Sequence, residues 1–257
     1  MPLHHSFFLG LVQGLTEFLP ISSSGHLILF PYLFHWADPG LGFDAFLHLG
    51  TLLALVVFFS KEIIRILWRD WNLGLKIILA CLPAAIVGLL LNNWVETNLR
   101  AAPIVAISLI FWGIVLFFAD RYNGKIQGYL TKSKIGWLNA LLIGFAQAIA
   151  LIPGTSRSGI TLTAGLFSGL ERKVALRFSF LISLPVIAGA GLLESLKTFQ
   201  HSLSTAQIGN LSVGFLAAFL SGLLAIQLMF KLIQNHSLTL FVIYRLILGG
   251  LILILLK

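Results

Sequence analysis

Apolar runs of roughly bilayer length, about 20 residues, recur throughout this chain, at 43–60, 73–94, 102–119, 174–196, 211–233 and 238–256. A segment with no water around it must satisfy its own backbone N–H and C=O groups, which makes each run a transmembrane helix. These runs leave no room for a soluble domain of useful size, so residues 1–257 read as a single membrane domain. The composition agrees. Hydrophobic residues make up 58% of the chain and the mean hydropathy is +0.97, whereas ordinary soluble domains are about 45–50% apolar. The formal charge of +8 would suggest nucleic acid in a soluble protein. Here most Lys and Arg sit in short loops between apolar runs, where they report topology and not a nucleic-acid surface. The single cysteine, Cys81, excludes an intrachain disulfide.

Two apolar stretches are too short to cross. The run 6–19, about 14 residues at 1.5 Å each, reaches only about 21 Å of a core roughly 30 Å thick. Pro20 ends it, Ser22-Ser23-Ser24-Gly25 supplies N-cap and turn residues, and a second short helix is expected over 26–35. The pattern predicts a re-entrant helical hairpin. It returns at 137–152, stopped by Pro153 and followed by Gly154-Thr155-Ser156-Arg157-Ser158-Gly159 and a helix to about 170. Polar side chains at membrane depth are costly, which makes this segment a candidate site, and its unwound backbone must be buried in protein or line a watery cavity.

The two hairpins can be laid over each other. Gly10, Gln13, Pro20, the Ser22–Ser24 hydroxyls and Gly25 correspond to Gly144, Gln147, Pro153, the Thr155–Ser158 cluster and Gly159 with a one-residue adjustment. Each hairpin precedes three long spans, and an odd number of crossings between them gives the halves opposite orientation. The expected architecture is therefore an all-α polytopic membrane protein with about six transmembrane helices and two re-entrant hairpins. It is built as inverted-topology repeats over roughly 1–120 and 130–257. Lys61, Arg65, Arg69, Lys76, Arg121, Lys125, Lys132, Lys134, Arg172, Lys173, Arg177 and Lys231 fall on one side in this scheme, against Arg100, Lys197 and Lys257 on the other. The richer side is assigned to the cytoplasm, with both termini outside.

The polar residues define the chemistry. Gly, Ser and Thr at a helix start leave backbone N–H groups free at the positive end of the dipole, a ready anion site. Arg157 adds a planar fork suited to phosphate oxygens, and Thr155, Ser156 and Ser158 add hydroxyls. Gln13 and Glu17 are four apart and share a helix face. Glu17 is the only acid in its run, so it pairs with Arg157, binds a cation or transfers protons. His26 follows the serines closely enough to act near Ser23 as general base, general acid or phosphate donor. His48 and Gln147 are supporting candidates, whereas His4, His5, His35, His201 and His236 read as interfacial or loop residues. No zinc-ligand pattern, Walker loop or nucleotide fingerprint occurs, and the G-x-S-x-G esterase motif is absent.

Gln13-Gly-Leu-Thr-Glu17-Phe-Leu-Pro20-Ile-Ser-Ser-Ser-Gly-His26, taken with Pro153-Gly-Thr-Ser-Arg-Ser-Gly159, resembles the paired signature of the bacterial undecaprenyl-diphosphate phosphatases, or bacitracin-resistance family. The resemblance covers essentially the whole chain and extends to Phe178-Ser179-Phe180-Leu181. It implies a lipid diphosphatase of the bacterial plasma membrane that regenerates undecaprenyl phosphate for peptidoglycan and other envelope polymers. From the topology, with the first hairpin beginning at Ser6 on the outer side, the active site is expected to open there. Where the family's acidic motif carries Glu or Gln ahead of its Glu, this chain has the Gln form at Gln13. That leaves Glu17 as the one carboxylate available to Mg²⁺ or Ca²⁺, with the substrate diphosphate supplying further oxygens. The catalytic set implied is Glu17, Ser23, His26, Ser156 and Arg157. Phosphate binding is expected from Gly154, Thr155, Ser156, Arg157, Ser158 and Gly159. Attack by Ser23, by Ser156 or by water all remain open at this level. The partners implied are a polyisoprenyl diphosphate, the lipid bilayer and a second copy of the chain as a homodimer, with no nucleic acid. The alternative reading is a transporter or flippase of the same lipid phosphate, since inverted repeats with broken helices are transporter architecture.

Overall fold

The structure is a computed structural model and describes residues 1–126, 131–199 and 204–255. His201 and Lys257 therefore lie outside the described residues. Every extended element among the described residues is an α-helix, and the one sheet-like contact is an isolated bridge between Lys132 and Leu170.

Both expected hairpins are present. In the first, α1 (Leu3–Phe18) ends at Leu19, whose extended backbone (φ −77°, ψ 143°) is the conformation imposed on a residue before proline. The next helix, α2 (Ser23–Leu33), begins earlier than the 26–35 expected, because Ser22 caps it by accepting from the Gly25 N–H. α3 (Leu41–Phe58) follows, then α4 (Ser60–Trp68), α5 (Trp71–Asn98) and α6 (Ala102–Ile126). In the second hairpin, α7 (Trp137–Ile149) gives way to a turn and then to α8 (Arg157–Phe167), capped by Ser156 through the Gly159 N–H. α9 (Arg172–Phe199), α10 (Thr205–Asn235) and α11 (Thr239–Leu255) complete the chain.

Five helices are long and apolar enough to cross a membrane: α3, α5, α6, α9 and α10. The sixth expected crossing, α11, is an apolar helix of 17 residues, reaching about 26 Å at 1.5 Å per residue. Lys61, Arg65 and Arg69, expected in a loop between apolar runs, instead lie on and at the end of the short helix α4. Ile66 is buried and Glu62 and Ile63 beside it are partly buried, Glu62 pairing with Arg177 of α9, while Lys61 and Arg65 are exposed. Asp70 then caps α5 through the Leu73 N–H, which separates the two helices. An 11- to 18-residue window dominated by a neighbouring apolar run hides so short an amphipathic helix.

Packing is reciprocal. The first hairpin's α1 lies on α10, and the second hairpin's α7 lies on α5. The approach is close in both places. A Cβ on Gly10 would stand 2.4 Å from the Gly214 carbonyl oxygen, and one on Gly144 would stand 2.7 Å from that of Ala80. α3 packs against α9 and α6 against α11, so each half interlocks with the other. The outward faces carry exposed Leu89, Leu90, Ile107, Phe118, Leu220 and Leu240, an apolar surface that only lipid solvates well. Polar groups such as Gln13, Glu17, His26, Thr155 and Arg245 are buried. The molecule is thus polar inside, where the hairpin turns meet.

Candidate active site

The two turns share an unusual backbone. Ser22 (φ 75°, ψ 96°) and Ser156 (φ 71°, ψ 107°) both adopt a positive φ that L-residues seldom take, and each is the N-cap of its short helix. In both, the next hydroxyl but one lies alongside: Ser22 Oγ to Ser24 Oγ at 3.4 Å and Ser156 Oγ to Ser158 Oγ at 3.3 Å. Strain of this kind persists only where surrounding structure enforces it, and it concentrates at functional sites.

Glu17, near the end of α1, is the centre of the site. Arg157 Nη2 donates to its Oε1, while Ser23 Oγ donates to Oε2 at 2.5 Å and Gln13 Nε2 donates to Oε2 at 3.0 Å. His48 Nε2 stands 3.6 Å from the same Oε2, its Nδ1 engaged by the Asp44 carbonyl at 2.8 Å. Arg157 Nη1 also donates to the Ser183 carbonyl of α9 at 3.2 Å. Glu17 itself is buried, but Ser23, Arg157 and His48 retain partial exposure, so this edge of the site can be reached.

The remaining hydroxyls are engaged elsewhere. Ser156 Oγ accepts from the Gly159 N–H at 3.1 Å, Thr155 Oγ1 and Ser108 Oγ are 3.1 Å apart, and Ser158 Oγ donates to the Leu19 carbonyl of the first turn at 3.1 Å. Gly154 takes φ +88° with its α-carbon against α6, where a Cβ would lie 2.4 Å from the Val105 carbonyl oxygen. A Cβ on Gly159 would come within 3.1 Å of Arg245 Nη1. Gln147 reaches back to the Ala80 carbonyl at 3.3 Å. Of the polar groups expected at phosphate, Arg157 is the one the structure aims at Glu17.

His26 is held apart from that cluster. Its Nδ1 faces the Ser22 carbonyl at 2.6 Å, and since a carbonyl only accepts, Nδ1 carries the proton. In the neutral ring Nε2 then accepts from Tyr244 O–H at 2.6 Å. The two rings are stacked nearly parallel.

Tyr244, Arg245, Ser108 and Ser183 are site neighbours that the sequence reading did not single out. Arg245 carried a usable signal, since a lone charge inside the apolar run 238–256 is governed by the same cost that drew attention to Arg157. The other three had none, because Tyr and Ser are unremarkable in apolar helices.

Among the described residues no group of three or more His, Cys, Asp and Glu side chains is placed to hold a metal ion. Gln13 Oε1, however, is buried without a hydrogen-bond partner beside Glu17. One carboxylate and one orphaned amide oxygen fit a hard cation whose other ligands come from a diphosphate and water.

The chain resembles curated proteins along nearly its entire length. It is 43% identical over 263 residues to the undecaprenyl-diphosphatase of Aliivibrio salmonicida, covering 97% of this chain and 96% of that one. It is 44% identical over 255 residues to undecaprenyl-diphosphatase 1 of Pseudoalteromonas translucida, covering 94% of each. The undecaprenyl-diphosphatase of Chromohalobacter salexigens is 44% identical over 263 residues, covering 97% of each. The family model of the bacitracin resistance protein BacA matches residues 6–251, a span that contains both hairpin turns, and the chain belongs to that family.

Proposed function

We propose that this protein hydrolyses undecaprenyl diphosphate to undecaprenyl phosphate and inorganic phosphate in the bacterial plasma membrane, regenerating the lipid carrier of envelope polymers. The observation that carries the reading is the hydrogen-bonded chain Ser23–Glu17–Arg157 at the meeting of the two turns. It joins a nucleophile, a base and a phosphate-binding cation, and the named activity of the curated relatives agrees with it.

In this mechanism the isoprenoid tail lies along the lipid-facing helices and the diphosphate enters beside Ser23 and Arg157. Arg157 exchanges Glu17 for phosphate oxygens and stabilises charge on the transferred group. Glu17, released from its cation, accepts the proton of Ser23 as Oγ attacks the terminal phosphorus. The bond to the bridging oxygen breaks, and undecaprenyl phosphate leaves. Water then cleaves the phosphoserine, releasing inorganic phosphate and restoring the Ser23 hydroxyl. Ser23 is preferred to Ser156 as nucleophile because Ser156 Oγ caps α8, whereas Ser23 Oγ is aimed at a carboxylate. His26, fixed by Ser22 and Tyr244, is assigned proton handling on the leaving-group side. Mg²⁺ or Ca²⁺ would be held by Gln13, by diphosphate oxygens and by Glu17 through the oxygen that Ser23 does not contact, and would supply charge neutralisation.

The halves are read as an inverted repeat, which the matching Ser22 and Ser156 caps and the reciprocal packing of α1 on α10 and α7 on α5 support. With the basic-rich side in the cytoplasm, the first hairpin enters from the outer side and the site opens there.

Purified protein in detergent, where no compartments exist, is the decisive preparation. Phosphate release from undecaprenyl or farnesyl diphosphate in the presence of Mg²⁺ or Ca²⁺ is expected. Absence of release with either ion would sink the hydrolase reading and leave transport.

A further inference from the structure

Arg245 is fully buried in α11, and among the described residues it pairs with no carboxylate. Its guanidinium is instead spent on four backbone carbonyls. Nε donates to Leu109 at 3.0 Å, Nη1 to Pro20 at 3.2 Å, and Nη2 to Gly154 at 3.1 Å and Thr155 at 3.0 Å. Pro20 belongs to the first turn and Gly154 and Thr155 to the second. A single rigid group therefore holds both turns and anchors them to α6 through Leu109.

The chain makes room for it. Carbonyls just past a helix end have no intrahelical donor, and when buried they must find one elsewhere. A planar guanidinium with five N–H donors in fixed directions can serve several at once, which a lysine ammonium cannot do with the same geometry. Gly113 of α6 leaves space for the Arg245 stem, since a Cβ there would lie 3.3 Å from Arg245 Cβ and 3.5 Å from Nε. Gly159 leaves space for Nη1, with a Cβ clearance of 3.1 Å. The same glycine packs as closely on the Ser156 hydroxyl that caps α8, at 3.1 Å, so the cap and Arg245 together account for it.

Ser23 follows Pro20 by three residues, and Arg157 follows Thr155 by two. Whatever fixes those carbonyls fixes the gap in which a phosphoryl group must sit between Ser23 and Arg157. We propose that Arg245 is a positioning residue for phosphoryl transfer, a buried clamp that sets the separation of the two turns without touching substrate. This rests on the hydrolase reading above.

The test compares wild type with Arg245→Lys, which keeps the charge but loses the fork, and with Gly113→Ala, which crowds the Arg245 stem and removes no hydrogen-bonding group. Turnover is measured per folded molecule in detergent with farnesyl diphosphate. Arg245→Lys is expected to lower kcat at least about 30-fold with KM within about 3-fold, as loss of reactive geometry requires. Gly113→Ala is expected to lower kcat about 5-fold on the same grounds and decides the matter if the lysine variant does not fold. A second readout is independent of activity. Spin labels at Ser24→Cys, at the start of α2 just past the first turn, and Leu151→Cys, on the second turn, in a Cys81→Ala background, should give a narrow distance distribution that widens at least about twofold when Arg245→Lys frees the turns to move. Unchanged kcat in the folded variants, an effect on KM alone, or an unchanged distance distribution would each overturn the proposal. An inactive wild type with a distribution that still widens would retire the hydrolase reading and keep the clamp.

Discussion

Glu17 and Arg157, 140 residues apart in sequence, form an ion pair that closes the two hairpin turns on each other. The pair is mostly buried, with side-chain exposures of 5% and 16%. A substrate anion must take Arg157 away from Glu17, and the same exchange frees the carboxylate to act as a base on Ser23. Glu17→Ala and Arg157→Ala are each expected to lower phosphate release at least about 100-fold. Because each single change leaves a buried charge uncompensated, each should also cost about 3–5 kcal/mol of stability, while the double variant recovers part of that loss. Thermal unfolding of the three variants in detergent checks the coupling. Strictly additive losses would mean that the two groups do not interact.

Ser156 is the cap of the second hairpin's short helix, the counterpart of Ser22, whereas Ser23 stands one residue past that cap with its hydroxyl on Glu17. Ser23→Gly removes the hydroxyl on Glu17 and is expected to abolish measurable turnover and the phosphoserine trapped by acid quenching. Ser156→Gly keeps the positive φ and loses only the cap, so it should retain turnover within about 10-fold and cost a few tenths of a kcal/mol. Trapped phosphate mapping to Ser156 would reverse the assignment.

Tyr244 meets the one His26 nitrogen that the Ser22 carbonyl leaves free. Tyr244→Phe deletes that hydrogen bond while preserving the stacked ring, and a fall of about 10-fold in kcat is expected, within the range of a general acid–base contribution. His26→Ala should cost at least about 100-fold. In the His26→Ala background Tyr244→Phe should add little, and a full independent effect there would show that the phenol acts on something other than His26.

Gln13 brings an amide where a carboxylate would add a charge. Gln13→Glu is expected to lower the concentration of Mg²⁺ or Ca²⁺ giving half-maximal activity by about 10-fold, since site charge tunes affinity for hard cations. An activity titration against each ion measures it. An unchanged half-saturation would place the cation on the substrate alone.

The apolar runs, the two proline-stopped short helices and the paired polar turns were legible because membrane burial punishes exceptions. A Pro, a Ser cluster or an Arg in such a run stands out by its cost alone. The sequence therefore determined an all-α membrane protein with two hairpins, and it identified Glu17, Ser23 and Arg157 as candidates before their contacts were known. It did not determine which hydroxyl faces a carboxylate. Ser23, Thr155, Ser156 and Ser158 are chemically alike, and only tertiary structure distributes them among Glu17, Ser108, a helix cap and the Leu19 carbonyl. Nor did it determine that His26 turns toward Tyr244, or that Arg245, 91 residues beyond Gly154, grips both turns. Those relations depend on how α11 packs against α6 and the hairpins. A linear pattern records the cost of a buried polar group, whereas the three-dimensional fold decides which partner offsets it.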